Sequence, residues 1–406
     1  MYIKRKIEET IKNTSRTFPV LLLTGPRQSG KTTLLRNIAC EDRKYVTLDD
    51  PDDRLFANEE PSAFLERYSP PVIIDEIQYA PGLLPYIKIH VDRFKNNGDF
   101  WLTGSQHFHM MKNVSESLAG RIGIINLLGL SNSEISGSLF GAYEADKNEF
   151  LRRVDSATPM SLPEVFARIH RGGMPRVYEQ TDLDLNNYFS AYVQTYIGRD
   201  VKELTQVANE LAFYRFLRTV AARTGSMVNY ESLANETEIS APTAKQWLSV
   251  LVSSGIVFLI EPIHSNALKR VVKAPRMYFA DTGLAAFLTR WASSDILEAG
   301  AMAGAFFETY VVSEIYKSFI NIGRTPPLYF YRDSNTKEID LIIWKNGMLY
   351  PIEIKKSSNP AGADKHFSVL GPAMDIGMGS IICLANDLRP APRSHGDNWT
   401  VPVWLI

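Results

Sequence analysis

The sequence predicts an α/β protein of several domains, and three observations lead to that prediction. Short apolar runs alternate with helical stretches of about 10–15 residues over the first 130 residues, which is the pattern of a parallel sheet. A glycine-rich loop follows the first apolar run. The chain has 406 residues, which is too many for one hydrophobic core and predicts about two or three domains.

The composition is that of an ordinary folded protein and favours no charged partner. Hydrophobic residues make up 45% and charged residues 22%, and the net charge is −1, so contact with nucleic acid requires local basic patches. The two cysteines, Cys40 and Cys383, form no CxxC pair, as is common in a reducing cytosol. No apolar run approaches the roughly 18 residues of a membrane span. We therefore expect a soluble cytoplasmic protein without membrane contact.

Five predicted strands build the N-terminal sheet. Each is a short, largely apolar run bounded by turn or helical sequence, as buried parallel strands are. Because parallel α/β sheets bind ligands at the carboxyl ends of their strands, the polar residues at those ends form the candidate site. The predicted strands are Val20–Thr24, Lys44–Leu48, Val72–Asp75, Phe100–Thr103 and Arg121–Leu127.

The loop after the first strand matches the P-loop pattern GxxxxGK[ST] in full, between a strand and a helix. Its glycines let backbone N–H groups turn toward phosphate oxygens, and the helix N-terminus adds its dipole. Lys31 is expected to reach the β- and γ-phosphates of ATP, and Thr32 to ligate Mg²⁺. The predicted nucleotide-binding residues are Gly25, Pro26, Arg27, Gln28, Ser29, Gly30, Lys31, Thr32 and Thr33.

Two acids at the end of the third predicted strand supply the chemistry that hydrolysis needs. Asp75 is expected to hold Mg²⁺ through its water shell, and Glu76 to orient and deprotonate the attacking water. A GTPase would typically show DxxG here and a base-reading NKxD motif later, and neither is present. ATP is therefore the preferred nucleotide.

Two further residues are candidates for catalysis beside the triphosphate. Ser105 follows the fourth strand, where a polar side chain can contact the γ-phosphate or the attacking water; the alternative is an ordinary loop serine. Arg121 is a cis sensor, a finger offered to a neighbouring subunit of a homo-oligomer, or a surface arginine.

The middle of the chain predicts a winged helix-turn-helix, because two helices, a turn, a third helix and a β-ribbon follow one another. Ser240 is a good N-cap for the third helix. The predicted elements are the helices Leu211–Ala222, Tyr230–Thr237 and Ala241–Ser253 and the strand Ile256–Ile260.

A basic wing beyond this module is a hypothesis for DNA contact. Between residues 205 and 265, four Lys/Arg stand against five Glu, so the module alone is a poor electrostatic DNA binder. An interdomain packing module is the alternative. The basic residues at or after the wing are Lys269, Arg270, Lys273 and Arg276.

The C-terminal region contains an Asn-Gly hairpin signal. The strand Glu338–Lys345, the turn Asn346-Gly347 and the strand Met348–Lys356 follow a long helix, Ala301–Ile320. Pro351 removes one backbone donor, which predicts a bulge or a free neighbour there.

The hairpin register places several acids on one face. If Asn346 and Gly347 form the loop, Asp340 faces Glu353 and Glu338 faces Lys355. Two facing carboxylates and a lysine are the set that metal-dependent phosphodiester cleavage requires; a solvated hairpin with ordinary cross-strand pairs is the alternative. The other, apolar face is predicted to carry Ile339, Leu341, Ile343, Ile352 and Ile354.

With these residues in place, the chain resembles the large prokaryotic family of predicted AAA-type ATPases that carry a C-terminal domain of unknown function with a restriction-endonuclease-like fold. The resemblance covers nearly the whole chain and depends on the order and spacing of many short motifs. These are GPRQSGKTT at 25–33, VIIDEIQ at 72–78, LTGSQ at 102–106, SLAGR at 117–121, GGMPR at 172–176, YIGRD at 196–200, YFADTGL at 278–284, FFE at 306–308, EID at 338–340 and IEIKK at 352–356.

The resemblance implies an AAA-type core at 1–135, a helical connector at 136–204, the winged helix at 205–285 and a PD-(D/E)xK nuclease-like domain at 286–406. On that pattern Asp340, Glu353 and Lys355 match the nuclease motif, and Glu308 matches the helix acid that often joins it. No Pro precedes Asp340, but that position is loosely kept in the wider superfamily.

Two functional hypotheses follow. The first is an ATPase that uses Mg²⁺ and acts on nucleic acid, with double-stranded DNA as the expected partner. The second is a nucleotide-controlled switch for protein partners, in which the nuclease-like domain has no catalytic role. The intact Asp340, Glu353 and Lys355 set favours the first hypothesis, and the absence of net positive charge favours the second.

Overall fold

The computed structural model describes residues 2–104, 117–196, 210–263, 273–333, 336–371, 374–392 and 397–406. These residues form a parallel sheet with its helices near the N-terminus and a larger mixed sheet with helices in the rest of the chain. Every helix in the described ranges is too short or too polar to cross a lipid bilayer.

The N-terminal sheet has five parallel strands in the order β2-β3-β4-β1-β5. All five lie within one residue of the predicted bounds at each end, so this prediction is confirmed. The strands are β1 Val20–Thr24, β2 Lys44–Thr47, β3 Val72–Asp75, β4 Phe100–Gly104 and β5 Ile122–Asn126; the helices are α1 Glu8–Thr17, α2 Lys31–Ile38, α3 Pro51–Glu59, α4 Pro61–Arg67 and α5 Leu83–Phe94.

Alternating side chains of these strands bury themselves on opposite faces of the sheet. Val20 and Leu22 pack into one apolar cluster, while Leu21 and Leu23 pack into another. Because both faces are covered, the strands read as continuous apolar runs in the sequence. The polar carboxyl ends of the strands are left for a ligand.

Helices dominate the middle of the chain. The connector contains α6 Asn132–Ser136, α7 Lys147–Val154, α8 Leu162–Arg171, α9 Pro175–Glu179 and α10 Leu185–Thr195. A three-helix unit with an antiparallel ribbon follows, formed by α11 Glu210–Ala222, α12 Tyr230–Thr237, α13 Ala241–Ser253, β6 Val257–Pro262 and β7 Arg276–Phe279.

The three-helix unit agrees with its sequence pattern. Ser240 caps α13 by accepting a hydrogen bond from the Thr243 backbone N–H at 3.2 Å. Trp247, Leu248 and Leu251 are buried, as the periodicity of the helix predicts. This unit therefore has the helices that the sequence indicates.

The C-terminal sheet joins strands from several parts of the chain in the order β13-β14-β12-β10-β9-β8-β6-β7, with β11 paired to β10. A 3₁₀ segment, Ala363–Leu370, packs against β9 and β10. The remaining helices are α14 Thr282–Leu288, α15 Ser294–Ala299 and α16 Ala303–Ile320, and the remaining strands are β8 Leu328–Arg332, β9 Glu338–Lys345, β10 Met348–Lys355, β11 Asp375–Ile376, β12 Ser380–Cys383, β13 Arg389–Pro390 and β14 Trp399–Pro402.

The register of the β9–β10 hairpin is the predicted one. Met348 pairs with Lys345, and the pairing continues to Ile352 opposite Leu341. Pro351 pairs with Ile342 without a bulge between the two strands, and on the other side of β10 it falls between the residues that pair with β11 and with β12. No bulge forms at Pro351. Its missing N–H is accommodated because, among the described residues, Pro351 has no strand partner on that side of β10.

One residue of the predicted apolar face departs from it. Ile339 packs with Ile342 and Leu349, whereas Leu341 belongs to the large core on the other side of the sheet. The register of β8 against β9 shifts between Tyr329 and Tyr331, next to Ile339, and such irregularities re-aim side chains.

The boundary expected between residues 285 and 286 does not separate two cores. Strand β6 of the ribbon pairs with β8, through Glu261 opposite Tyr329 and Pro262 opposite Phe330. One buried apolar cluster extends from Ala142 to Ile406. The three-helix unit, the ribbon and the C-terminal strands therefore share one core, although the predicted boundary assigns them to two domains.

Buried polar contacts join this core to the N-terminal sheet. Arg5 Nε binds Glu134 Oε1 at 3.1 Å, and both side chains are almost fully buried. The Asn132 backbone N–H donates to Glu314 Oε2 on α16 at 2.6 Å. Lys317 Nζ bridges Glu314 Oε1 at 2.8 Å and the carbonyl oxygen of Leu130 at 3.1 Å.

Candidate functional sites

The loop between β1 and α2 has a backbone that requires glycine. Gly25 has φ +143°, and a Cβ there would lie 2.0 Å from the carbonyl oxygen of Leu127. Gly30 has φ +89° and precedes the first residue of α2. A loop of this kind in front of a helix N-terminus is an anion cradle.

Lys31 and Thr32 begin α2 and direct their polar groups at the loop and at β3. Lys31 Nζ donates to the carbonyl oxygens of Gly25 and Pro26, each at 2.9 Å. Thr32 Oγ1 lies 2.9 Å from both carboxylate oxygens of Asp75. The loop lysine and the two residues predicted to serve Mg²⁺ are thus brought together.

Asp75 is 5% exposed and is surrounded by hydroxyl groups. Besides Thr32, Tyr45 donates its hydroxyl to Asp75 Oδ2 at 3.1 Å, and Thr103 donates to Oδ1. Hydroxyl and carboxylate oxygens are the ligands that Mg²⁺ prefers. The residues therefore fit a magnesium ion, which Thr32 and Asp75 would hold.

Glu76 begins the turn after β3 in a left-handed conformation, with φ +58°. Its backbone N–H donates to Thr103 Oγ1 at 3.1 Å, and its carboxylate accepts from the Gln78 amide. A bulky residue adopts positive φ only where its surroundings enforce it, and such strain clusters at functional sites. Glu76 is thereby held in the lining of the loop cavity.

The cavity at the loop has a volume of about 530 Å³. Thr195, at the end of α10, also lines it, which the sequence analysis missed because nothing in a helical connector indicates a nucleotide contact. Ser29 is buried instead, and its carbonyl oxygen accepts from Arg5 at 3.1 Å. The predicted residues that line the cavity are Arg27, Gln28, Gly30, Lys31, Thr32, Thr33 and Glu76.

The cis role considered for Arg121 is wrong. Arg121 precedes β5, whose first residue Ile122 pairs with Val20, so it lies at the amino end of the sheet, roughly 13 Å along the strands from the loop. Its guanidinium binds the Asp92 carboxylate on α5 at 2.5 and 3.1 Å. Ser105 lies outside the described residues.

A second site lies at the end of the β9–β10 hairpin. Asp340, Glu353, Lys355 and Glu338 line one cavity of about 620 Å³, so these three acids and the lysine lie together as predicted. Lys355 Nζ lies 2.5 Å from Glu353 Oε1 and 3.8 Å from Asp340 Oδ2. Asp340 Oδ2 also accepts from the Ile354 backbone N–H at 2.8 Å.

Glu308 does not line this cavity, and its side chain is 23% exposed. Its Oε1 accepts from the Tyr278 hydroxyl at 2.8 Å and from Arg276 Nη1 at 3.3 Å. Arg276 also pairs with Glu338. Arg276 is 4% exposed, so its expected place in a DNA-contacting wing is wrong.

The rest of the expected wing is only partly described. Lys273 is exposed, while Lys269 and Arg270 lie outside the described residues.

Burial of the carboxylates perturbs their ionisation. Burial, together with repulsion by Asp340, raises the pKa of Glu308 to about 7 and that of Glu353 to about 7. Burial alone would lower the pKa of Lys355, but the neighbouring carboxylates raise it above its ordinary value. The acids of this cluster therefore repel one another strongly unless cations lie between them.

The acids of the cluster are arranged in pairs. No three His, Cys, Asp or Glu side chains of the described residues converge as a metal-binding group. Asp340 and Glu353 are bridged by Lys355, and Glu308 and Glu338 are bridged by Arg276.

Three parts of the chain match families of known sequences. Residues 17–136 match a family described as an AAA domain. The N-terminal part of the chain is an AAA domain of the P-loop type. Residues 163–295 and 303–403 match domains of unknown function, DUF8612 and DUF4143, so the AAA assignment is confirmed and the nuclease-like fold stays a prediction.

Two curated relatives resemble the AAA domain and most of the remaining chain. The uncharacterized proteins Rv2008c of Mycobacterium tuberculosis and Mb2031c of Mycobacterium bovis are each 29% identical over 346 residues, which covers 84% of this chain and 71% of theirs.

Solved structures resemble the chain only loosely. The Walker-type ATPase PABY2304 of Pyrococcus abyssi is 17% identical, covers 71% of this chain and 96% of its own, and has a TM-score of 0.43. A RuvB protein of Thermotoga maritima is 19% identical, covers 63% and 88%, and has a TM-score of 0.31. These scores are too low to carry an argument about architecture or activity.

Several site residues have no clear motif in the sequence. Tyr45 and Thr103 hold Asp75, and Arg276 and Tyr278 hold Glu308. Arg276 and Tyr278 are two apart on β7, so period-two alternation places them on one face. That spacing could have suggested a shared role, but it does not reveal the acid that they contact.

Lys31→Ala in the AAA domain should weaken nucleotide binding by about 10²-fold. The ammonium, held by the loop carbonyls, is expected to neutralise the β- and γ-phosphates, and losing such a buried contact costs about 3 kcal/mol, or about 10²-fold in affinity. Titration with a fluorescent ATP analogue measures this, with Lys12→Ala on the exposed face of α1 as the matched control. Unchanged binding and turnover in Lys31→Ala would contradict the P-loop assignment.

Glu353→Gln should make thermal stability less sensitive to pH. The folded state raises the pKa of Glu353 from 4.5 to about 7, so it binds more protons than the unfolded state in that window. Stability therefore falls as pH rises through it, and the neutral amide removes that cost. The Tm of the variant relative to wild type should rise between about pH 5 and about pH 8.

The control for this comparison is Glu59→Gln, at the exposed end of α3. Its Tm difference from wild type should stay constant over the same range. A constant difference in Glu353→Gln as well would show that the Glu353 carboxylate ionises as it does in the unfolded chain.

Proposed function

We propose that this protein binds and hydrolyses ATP with Mg²⁺ at its AAA domain, and that nucleotide occupancy controls the binding or cleavage of double-stranded DNA by the C-terminal sheet. The observation that carries the proposal is the contact between the Asp75 carboxylate and Oγ1 of Thr32, a residue that lines the loop cavity. It joins the two residues that an ATPase needs for its metal.

The residues of the AAA domain divide the chemistry among them. Lys31 neutralises the phosphates, and Thr32 and Asp75 would hold Mg²⁺, which would supply positive charge against the charge that develops on the phosphates. Glu76, fixed by Thr103 through its backbone, orients the attacking water and accepts its proton. Arg121 is left with a role in a neighbouring subunit or none, because it is remote from the loop of its own chain.

The coupling is supported by contacts between the loop and the helical region. Thr195 lines the nucleotide cavity, and the next residue, Tyr196, shares a 2.7 Å hydrogen bond with Ser254 at the end of α13. A Cβ at Gly255 would lie 3.1 Å from Cδ of Pro26 in the loop. A shift of the loop on nucleotide binding would therefore be transmitted to the three-helix unit.

The nucleic-acid half of the proposal is supported by the three-helix unit and the carboxylate cavity. The helices, turn and ribbon of residues 210–279 have the element order of a winged helix-turn-helix. Asp340, Glu353 and Lys355 share one open cavity, as the PD-(D/E)xK pattern requires. The carboxylates would hold a divalent ion that polarises the phosphodiester, with Lys355 positioned to direct water.

A nucleotide-controlled switch for protein partners is the second candidate, and the burial of Arg276 favours it. That arginine faces carboxylates and offers no charge to DNA. The net charge of −1 removes any general attraction to phosphates. In this case the carboxylate cavity would have only a structural role.

Glu76→Gln should retain ATP and hydrolyse it slowly. The amide leaves Thr32 and Asp75 to hold Mg²⁺ but cannot accept a proton, so kcat should fall by about 10²–10⁴-fold while affinity stays near wild type. Single-turnover assays with labelled ATP measure both. Asp75→Asn is the matched comparison and should weaken Mg²⁺-dependent binding itself; normal turnover in Glu76→Gln would show that another group is the base.

Asp340→Ala should abolish metal-dependent nicking of supercoiled plasmid. The substitution removes one of the three carboxylates that line the cavity, so a divalent ion would lose a ligand there. Asp375→Ala, at an exposed position on β11, is the control and should nick normally. Wild-type protein that neither binds DNA nor nicks it, with or without ATP, would favour the protein-switch function.

A further inference from the structure

A third cavity, of about 880 Å³, lies beside the carboxylate cavity and has no part in the functions described above. The 3₁₀ segment Ala363–Leu370 contributes to the lining of both cavities, and Lys365 is common to the two. A polymer bound at the carboxylates can therefore place a neighbouring unit in the third cavity. The loop end of the β9–β10 hairpin also lines it, through Ile343, Lys345, Met348 and Tyr350.

Aromatic side chains form part of the wall of this third cavity, which we call the aromatic cavity. Trp399 and Tyr350 line it and are partly exposed, and Phe367 lines it from the 3₁₀ segment. The Lys147 ammonium lies 5.5 Å from the ring centre of Trp399, so a polar group can reach the face of the indole. The cavity has the size of sites for organic ligands, roughly 300–1,000 Å³. Nucleobases bind to aromatic faces of this kind by stacking.

The charges of the aromatic cavity favour an anionic ligand once internal pairs are set aside. Lys147 and Lys365 are exposed in its lining and form no ion pair with a described residue, whereas Asp397 is the one lining acid without a partner described here. Cations beside an aromatic face are the combination that binds a nucleotide within a strand. The other three lining acids have partners within the protein: Glu144 pairs with Lys345 at 2.8 Å, Asp146 accepts from the Glu149 backbone N–H at 2.9 Å, and Asp364 accepts from Asn398 Nδ2 at 2.9 Å.

We infer that the aromatic cavity holds an unpaired nucleotide of the DNA strand that lies at the carboxylate cavity. The base stacks on Trp399 in place of the Lys147 ammonium, and Lys147 and Lys365 contact the phosphates next to it. A base enters such a cavity only after it leaves the duplex stack, which costs free energy in a duplex but little in a single strand. The preferred DNA therefore carries a single-stranded segment. This inference rests on the proposed DNA-binding role of the C-terminal sheet and adds the form of the DNA.

Fluorescence anisotropy on the full-length protein tests the preference for unpaired DNA. The probes are three fluorescein-labelled DNAs of one sequence: a single strand, a blunt duplex, and the same duplex with a single-stranded tail. Titrations are made with and without ATP, with Ca²⁺ in place of Mg²⁺ to limit cleavage. Wild type should bind the single strand and the tailed duplex about 10-fold more tightly than the blunt duplex, because stacking of one base contributes a factor of that order.

Trp399→Leu supplies the decisive comparison. It removes the stacking face and should weaken binding of the single strand and the tailed duplex by about 10-fold, while binding of the blunt duplex and of ATP stays unchanged. Trp399→Phe keeps an aromatic face and should recover most of the affinity. Trp344→Leu is the matched control, because Trp344 is exposed on the same hairpin and lines neither cavity. Lys365→Gln should reduce the salt dependence of single-strand binding, by about 0.7 in the slope of log K against log salt.

The possible results separate this inference from the proposed function. Unchanged single-strand affinity in Trp399→Leu, or an unchanged salt slope in Lys365→Gln, would overturn the inference. Wild type that binds the blunt duplex as tightly as the other two DNAs would also overturn it and would leave the proposed DNA binding intact. Binding of none of the three DNAs, with or without ATP, would overturn both. If Trp399→Leu does not fold, the wild-type preference and the Lys365→Gln slope still decide.

Discussion

The fixed backbone between β1 and α2 is the constraint on which the rest of the structure depends. The carbonyl oxygen of Leu127 occupies the place where a side chain at Gly25 would lie, so the loop is held against the strand end of β5. Arg5 donates a hydrogen bond to the Ser29 carbonyl oxygen of the same loop and forms an ion pair with Glu134, just beyond β5. A loop tied down on both sides can present its amides to phosphate at little cost in conformational entropy. The buried partners also mean that the loop cannot move without disturbing the start of the connector.

The same contacts extend toward the second site. Glu134 belongs to the short helix whose Asn132 binds Glu314 on α16, and α16 also carries Glu308. Six residues of one helix separate Glu314 from Glu308, a rise of about 9 Å. Buried charges are costly unless their geometry is satisfied, so these pairs define how the AAA domain is placed against the larger core. The nucleotide cavity and the carboxylate cluster are therefore connected by a helix and buried charges, and not only by a flexible linker.

Local patterns were enough to predict much of this molecule, and long-range contacts explain where prediction failed. The Asn346-Gly347 turn determined the hairpin register, and that register alone placed Asp340 and Glu353 on one face. The nine-strand arrangement was missed because the pairing of β6 with β8 joins segments far apart in sequence.

Two arginines illustrate what the sequence can and cannot predict. The place of Arg121 at the start of a parallel strand already excluded a cis role, since ligands bind at the other end of such strands. Arg276 gave no comparable signal, because an arginine near a predicted ribbon is equally compatible with DNA and with a buried acid. The central claim remains the nucleotide site of the AAA domain. It is tested most directly by a crystal grown with a non-hydrolysable ATP analogue and Mn²⁺, using anomalous scattering to locate the ion. We expect Mn²⁺ in contact with Thr32 Oγ1, next to Asp75, with the triphosphate in the loop; nucleotide or metal found only elsewhere would contradict the assignment of this site.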